Sequence, residues 1–91
     1  MKKESANDYW NKCRERLKDV FMEKGITRCE RCSGTFAMSF HHRHKRIWYV
    51  SRKELLGDFN QVILVCAECH YKAEGSRELT VLLFNKLREK E

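Results

Sequence analysis

Val62-Ile63-Leu64-Val65-Cys66-Ala67-Glu68-Cys69-His70 joins a continuous apolar run to a Cys-x-x-Cys pair with a histidine directly behind it. A continuous run of four apolar residues predicts a strand. The residues after Cys66 predict a helix to about Glu74, broken by Gly75. A second pair, Cys29-Glu30-Arg31-Cys32, lies upstream and is followed by Ser33-Gly34, a turn. Four thiolates in two such pairs are the donor set of a closed, tetrahedral structural zinc site. A single pair is also the pattern of redox-active thiols, but two pairs in a reducing compartment favour zinc. Thirty-three residues separate the pairs, so the segment between them is expected to be structured in its own right and to carry the function.

The length of 91 residues allows one domain, whose core is marginal without an added constraint such as a metal. Five cysteines, an odd number, and no apolar run long enough for a signal peptide or membrane span predict a reducing cytoplasm, metal rather than disulfides, and no membrane partner. The formal charge is +6, lowered to about +4 by four thiolates and one Zn²⁺, a balance that attracts polyanions. Its placement is more specific: Arg43, Lys45, Arg46, Arg52 and Lys53 fall within eleven residues that hold no acid, with Trp48 and Tyr49 among them. That is either a phosphate-contacting surface with interleaved aromatics or a solvated loop whose aromatics belong to the core.

Outside the cysteine pairs, Trp10, Cys13, Leu17, Val20 and Phe21 recur at helical steps between Asp8 and Lys24. Asn7 is placed to cap that helix and Gly25 to end it; Cys13, on the apolar stripe, reads as a core residue. Phe36, Met38 and Phe40 alternate with small or polar residues, which predicts a half-buried strand from Phe36 to His42. Ser51-Arg52-Lys53-Glu54 has the form of a capping box for a short helix through Leu55 and Leu56. A last helix from Glu78 to about Arg88 carries Leu79, Leu82, Leu83 and Leu87 and is expected to pack on the first. The resulting fold class is a small α+β zinc-stapled domain. Residues 1–28 form an N-terminal helical part, 29–74 a metal core, and 75–91 a C-terminal helix.

All four histidines lie between positions 41 and 70. His41 and His42 end a predicted strand and should therefore point to opposite sides of it, free to take different roles. A neutral imidazole, with an ordinary pKa near ~6.5, accepts a proton from water at physiological pH, and a side-chain amide on its other nitrogen would fix the tautomer.

The order CERC, HH, N, CAECH over about residues 29–74 resembles the HNH endonuclease family, in particular its small zinc-containing phage and prophage members with a ββα-metal core. The resemblance implies a ββα-metal core flanked by N- and C-terminal helices. It implies a divalent ion held by His41 and His70, with His42 as general base and Asn60 orienting that base. The family's Asn stands five residues before the second cysteine pair, which is Gln61 here, so Asn60 and Gln61 are both candidates. Many relatives carry a further ligand His at the position of Glu74; a carboxylate one helical turn from His70 could bind a hard cation or be an exposed charge. His-His-Arg-His-Lys-Arg (41–46) looks like the basic sequence after the paired histidines in phage members. His44 lies outside the motif, as a phosphate contact first and an alternative ligand second.

The implied activity is hydrolysis of DNA phosphodiester bonds, one strand per active centre, with a structural Zn²⁺ and a catalytic Mg²⁺, Mn²⁺, Ni²⁺ or Zn²⁺. The implied setting is a bacterial or phage-infected cell, with a phage packaging or recombination complex as a partner by analogy. Oligomeric state stays open. A rival reading is a non-catalytic zinc module that binds nucleic acid or protein; another is a pair of structural zincs shared among the Cys and His residues.

Overall fold

The computed structural model describes residues 6–89, so positions 1–5 and 90–91 of the predicted terminal segments lie outside the described residues. The first helix, α1, spans Ala6–Glu23, so Asn7 lies inside its first turn rather than ahead of it. Gly25 ends it as expected, with φ of 76°. The Gly25 N–H donates to Met22 O and the Ile26 N–H to Phe21 O, the two bonds of a Schellman cap.

Strand β1, Ser39–His42, pairs antiparallel with β2, Val62–Val65, in the register Ser39↔Val65, Phe40↔Leu64, His41↔Ile63, His42↔Val62. Two further helices follow, α2 at Ala67–Glu74 and α3 at Arg77–Leu87. Three short 3₁₀ turns, Arg46–Tyr49, Lys53–Gly57 and Phe59–Gln61, connect the strands. Among the described residues the architecture is α+β: three helices and a two-stranded sheet, with four cysteine sulfurs clustered together. No helix among the described residues is long and apolar enough to cross a membrane.

Strand alternation divides the core. Val62, Leu64 and Phe40 face α1, where they meet Leu17 and Phe21. Ile63 and Val65 face the other way, against Ala73 of α2, Leu83 and Phe84 of α3, and the buried Cys29, Cys66 and Cys69. Both faces of β2 are thus covered, which is why it reads as an unbroken apolar run. Cys13 is buried on α1 against Gly57, where an added Cβ would lie 3.2 Å from its sulfur.

Three local expectations are corrected. The first strand begins at Ser39, not Phe36: Ala37 sits at φ 49°, which interrupts an extended chain, and Phe36 is 81% exposed. The Phe36 carbonyl instead accepts from the Ala67 N–H at the start of α2. No capping box forms at Ser51, because Arg52 is the cap of a 3₁₀ turn and its side chain makes no capping bond. Lastly, α3 packs on α2 and β2 rather than on α1. Its buried stripe is Leu79, Thr80, Leu83, Phe84 and Leu87, and Leu82, on the far side of the helix, is 64% exposed.

One long-range contact locks the end of α3 to the first cysteine loop. The Arg88 guanidinium forks onto Glu30, with Nη1 2.8 Å from Oε1 and Nη2 2.8 Å from Oε2. It also donates to the carbonyls of Phe59 and Val62 and lies 3.9 Å from the Phe59 ring centroid. Glu30 in turn accepts from the Leu64 N–H at 2.7 Å and donates its own N–H to Leu64 O, which ties the loop to β2.

Candidate metal centres and basic cavity

Cys29, Cys32, Cys66 and Cys69 present their sulfurs within 4.8 Å of one another, and Cys32 and Cys66 are 3.6 Å apart. With Zn–S bonds near 2.3 Å, a tetrahedral edge is about 3.8 Å, so the spacing fits one closed zinc site. Local backbone geometry makes both pairs. In the first, Ser33 takes a left-handed φ of 66°, which closes the loop with its N–H on Cys29 O. The Cys32 and Gly34 N–H groups then point at the sulfurs of Cys29 and Cys32. In the second, Cys66 caps α2 and Cys69 lies in its first turn, at the positive end of the helix dipole. Arg31 adds a donor to the Cys69 sulfur at 3.4 Å.

The electrostatics fit a cation in that cluster. Burial raises the Cys29 thiol, but the N–H groups of Cys32, Cys66 and Arg31 outweigh it and bring it down to about 6. Burial pushes Cys69 up to about 12, opposed by Arg31 but reinforced by the other three sulfurs. Four thiolates this close do not coexist without a positive charge, which a soft divalent ion would supply.

A second set, His41, His70 and Glu74, also brings its ligand atoms within 4.8 Å. Strand and helix periods produce it. Ser39 and His41 share the face of β1 that looks at α2, and His70 and Glu74 are four residues apart on α2. Glu74 Oε1 is 3.2 Å from His70 Nε2, and Ser39 Oγ is 2.7 Å from His70 Nδ1. The His41 ring stands 5.1 Å from that of His70, and its Nε2 is 3.0 Å from Thr80 Oγ1 on α3. Burial, reinforced by His70 and opposed by Glu74, lowers the His41 pKa to about 4, so the ring is neutral at physiological pH, the form in which it could ligate a cation. Two imidazoles and a carboxylate with one exposed side suit a divalent ion that keeps open positions.

His42 points to the other face of β1, as alternation requires, into a cage formed by Trp10 at 4.7 Å and Tyr49 at 5.3 Å between ring centroids. Its Nε2 lies 3.0 Å from Leu56 O. A carbonyl can only accept, so Nε2 carries the proton and Nδ1 keeps the lone pair. Burial lowers the pKa of this ring, with the Leu56 carbonyl opposing.

The structure does not place the expected amide on His42. Asn60 is exposed, its backbone N–H goes to Asp58 Oδ1, and among the described residues no hydrogen bond joins its side chain to His42. Gln61 makes no hydrogen bond to His42 among the described residues either, but its Oε1 accepts from the Tyr49 hydroxyl at 3.1 Å and so fixes one wall of the cage. The 3₁₀ turn at Phe59–Gln61 aims the Asn60 side chain outward, while the turn at Lys53–Gly57 delivers the Leu56 carbonyl.

A cavity of about 750 Å³ wraps the end of β1 and is lined by both histidines, His70, Glu74 and Thr80. Of the predicted basic residues, Arg43, His44, Lys45 and Arg46 line it; Arg52 and Lys53 do not. Arg43 is paired with Glu89 at 2.7 Å. Arg52 folds back onto the Trp48 carbonyl and ring, and His44 stacks on Trp48 at 4.0 Å. Sequence reasoning missed Arg77 and Thr80 on α3, Trp10 on α1, and the Ser39 hydroxyl. The signal available for α3 was the two-residue connection Gly75–Ser76, which forces its first turns back alongside α2.

Compared with family models, with curated proteins and with solved structures, the chain finds no match in any of the three.

Proposed function

We propose that this protein is a metal-dependent DNA endonuclease of the HNH kind, with β1, β2 and α2 serving as its ββα-metal unit. One observation carries the reading: a neutral histidine, His42, with an accepting nitrogen, lines the same cavity as His41, His70 and Glu74. A divalent cation held by those three side chains would stabilise charge on a scissile phosphate and on its leaving 3′ oxygen. His42 takes the proton from the attacking water at Nδ1, while Nε2–H on Leu56 O holds the ring and favours its positive charge as the proton arrives. Trp10 and Tyr49 keep the ring from rotating. Lys45, Arg46 and Arg77, which line the cavity, offset the phosphodiester charge. A single centre of this kind cuts one strand at a time.

A supercoiled-plasmid assay with Mg²⁺, Mn²⁺, Ni²⁺ or Zn²⁺ tests the proposal. Wild type is expected to relax the plasmid in at least one ion and not in EDTA. His42→Ala is expected to lose about 10²- to 10⁴-fold in single-turnover rate while keeping its fold, because the base acts on water and packs only partly into the core. A wild type that shifts the plasmid on a gel but leaves it intact in every ion is a non-catalytic zinc module, and the reading falls.

The Gln61–Tyr49–His42 chain of contacts leads to a second expectation. Asn60→Ala should change turnover by no more than about threefold, while Gln61→Ala, which leaves the buried Tyr49 hydroxyl without its acceptor and loosens the cage, should lower it more. Comparison of the two variants at saturating DNA decides it: a severe loss in Asn60→Ala with normal Gln61→Ala would return the orienting role to Asn60.

A further inference from the structure

We propose that Thr80, on α3 and outside the cysteine-bounded segment, is a positioning residue that presets His41 to offer Nδ1 to a divalent cation. The inference rests on reading His41, His70 and Glu74 as a cation site, and does not require that the protein cleave DNA.

A threonine hydroxyl has a single hydrogen, and Thr80 Oγ1 gives it to Ala73 O at 2.8 Å. With its hydrogen given to that carbonyl, Thr80 Oγ1 has no donor left and can only accept from His41 Nε2, 3.0 Å away. Nε2 must therefore carry the ring proton, in a relay His41 N–H to Thr80 O–H to Ala73 C=O. Both His41 and Thr80 are more than nine-tenths buried, which shelters the relay from bulk solvent. Ala73 O is fixed in turn, since it lies in the last turn of α2 and also accepts from the Ser76 N–H.

His70 provides an internal contrast. Its Nδ1 faces Ser39 Oγ, whose hydroxyl hydrogen is not committed to another acceptor among the described residues, so that ring can take either tautomer. With Nε2 as a ligand, His70 Nδ1–H donates to Ser39; without a cation, Nε2–H can donate to Glu74. One ligand is thus fixed in advance by α3 and the other adapts. Hydrogen bonds of this kind behind a ligand histidine hold ring orientation and basicity.

The test uses the full chain with its four-cysteine zinc in place and Mn²⁺ as probe, an ion that prefers nitrogen and oxygen to thiolate. Thr80→Val, which keeps the shape and removes the hydroxyl, is expected to weaken Mn²⁺ binding about 10- to 100-fold by electron paramagnetic resonance, and Thr80→Ser to restore it to within about threefold. Zinc content should be the same in all three. Long-range ¹H–¹⁵N spectra of the Mn²⁺-free wild type should show His41 as a single Nε2-protonated tautomer. Mn²⁺ affinity in Thr80→Val equal to wild type, no Mn²⁺ binding in wild type, or a wild-type His41 protonated at Nδ1 overturns the proposal. If Thr80→Val does not fold, the wild-type spectrum alone decides. A wild type that binds Mn²⁺ through this relay yet cuts no DNA leaves Thr80's role standing and removes the nuclease reading; unaltered Mn²⁺ affinity in Thr80→Val with full plasmid cleavage does the reverse.

Discussion

Cys69→Ser is expected to abolish the cooperative thermal transition of the domain. Cys69 lies at the junction of the cysteine loop, α2 and the face of the core formed by Ile63, Val65, Leu83 and Phe84. A structural zinc ion in such a site contributes about 10–16 kcal/mol of apparent binding free energy, against a net stability of roughly 5–15 kcal/mol for a whole domain. Serine is a harder and weaker donor, so the ion is lost and the loop at Cys29–Gly34 loses its tie to α2. Far-ultraviolet circular dichroism on heating, with zinc quantified in the same sample, makes the measurement. Cys13→Ala is the control: Cys13 is buried but far in function from the sulfur cluster, so that variant should keep one zinc ion and a cooperative melt. Mild chelation of wild type should likewise leave one ion per chain, since a cation held by the open His41–His70–Glu74 set would be released first. A Cys69→Ser protein that melts cooperatively near the wild-type temperature would show that the cysteines do not staple the fold.

Arg88→Ala should destabilise the domain by about 3–5 kcal/mol, because it leaves Glu30 as a buried carboxylate without its partner. The two side chains are only 3% and 9% exposed, so water cannot replace the lost bonds. The variant also loses donors to the carbonyls of Phe59 and Val62 and the ring contact with Phe59. For a domain of this size, each kcal/mol shifts the melting temperature by about 4–8 °C, so the fall should exceed about 12 °C. Urea denaturation of Arg88→Ala, Glu30→Gln and the double variant measures the coupling. The double variant should be less damaged than the two single losses added together, since removing both partners leaves no unpaired buried charge. A loss under about 0.5 kcal/mol in Arg88→Ala would place this pair with weak surface ion pairs instead.

Features set by local spacing were legible in the sequence. The two Cys-x-x-Cys pairs predicted a four-sulfur cluster because three-residue loops and first helical turns put such sulfurs together wherever the pairs meet. Helical periodicity from Asp8 to Lys24 and Gly25 after it predicted α1 and its left-handed stop. Alternation in a strand sent His41 and His42 to opposite faces, and a four-residue step set Glu74 beside His70. The alternating pattern from Phe36 to His42 misled, since apolar spacing carries no warning of the left-handed turn at Ala37.

The contacts that give each histidine its chemistry were decided by tertiary structure alone. His42 is held by a backbone carbonyl 14 residues away, and every residue type carries the same carbonyl, so no side chain announces it. His41 is held by Thr80, 39 positions on, and Glu30 by Arg88, 58 positions on. Such pairings depend on where a whole helix comes to rest. The apolar stripe of α3 specified only that one side be buried, and the short Gly75–Ser76 connection then put that side against α2 and β2 instead of α1. Local sequence determines which groups exist and which way they point within one element; which polar groups end up facing each other follows from packing between elements, where the hydrophobic term is non-directional and only the complete chain path selects the partner.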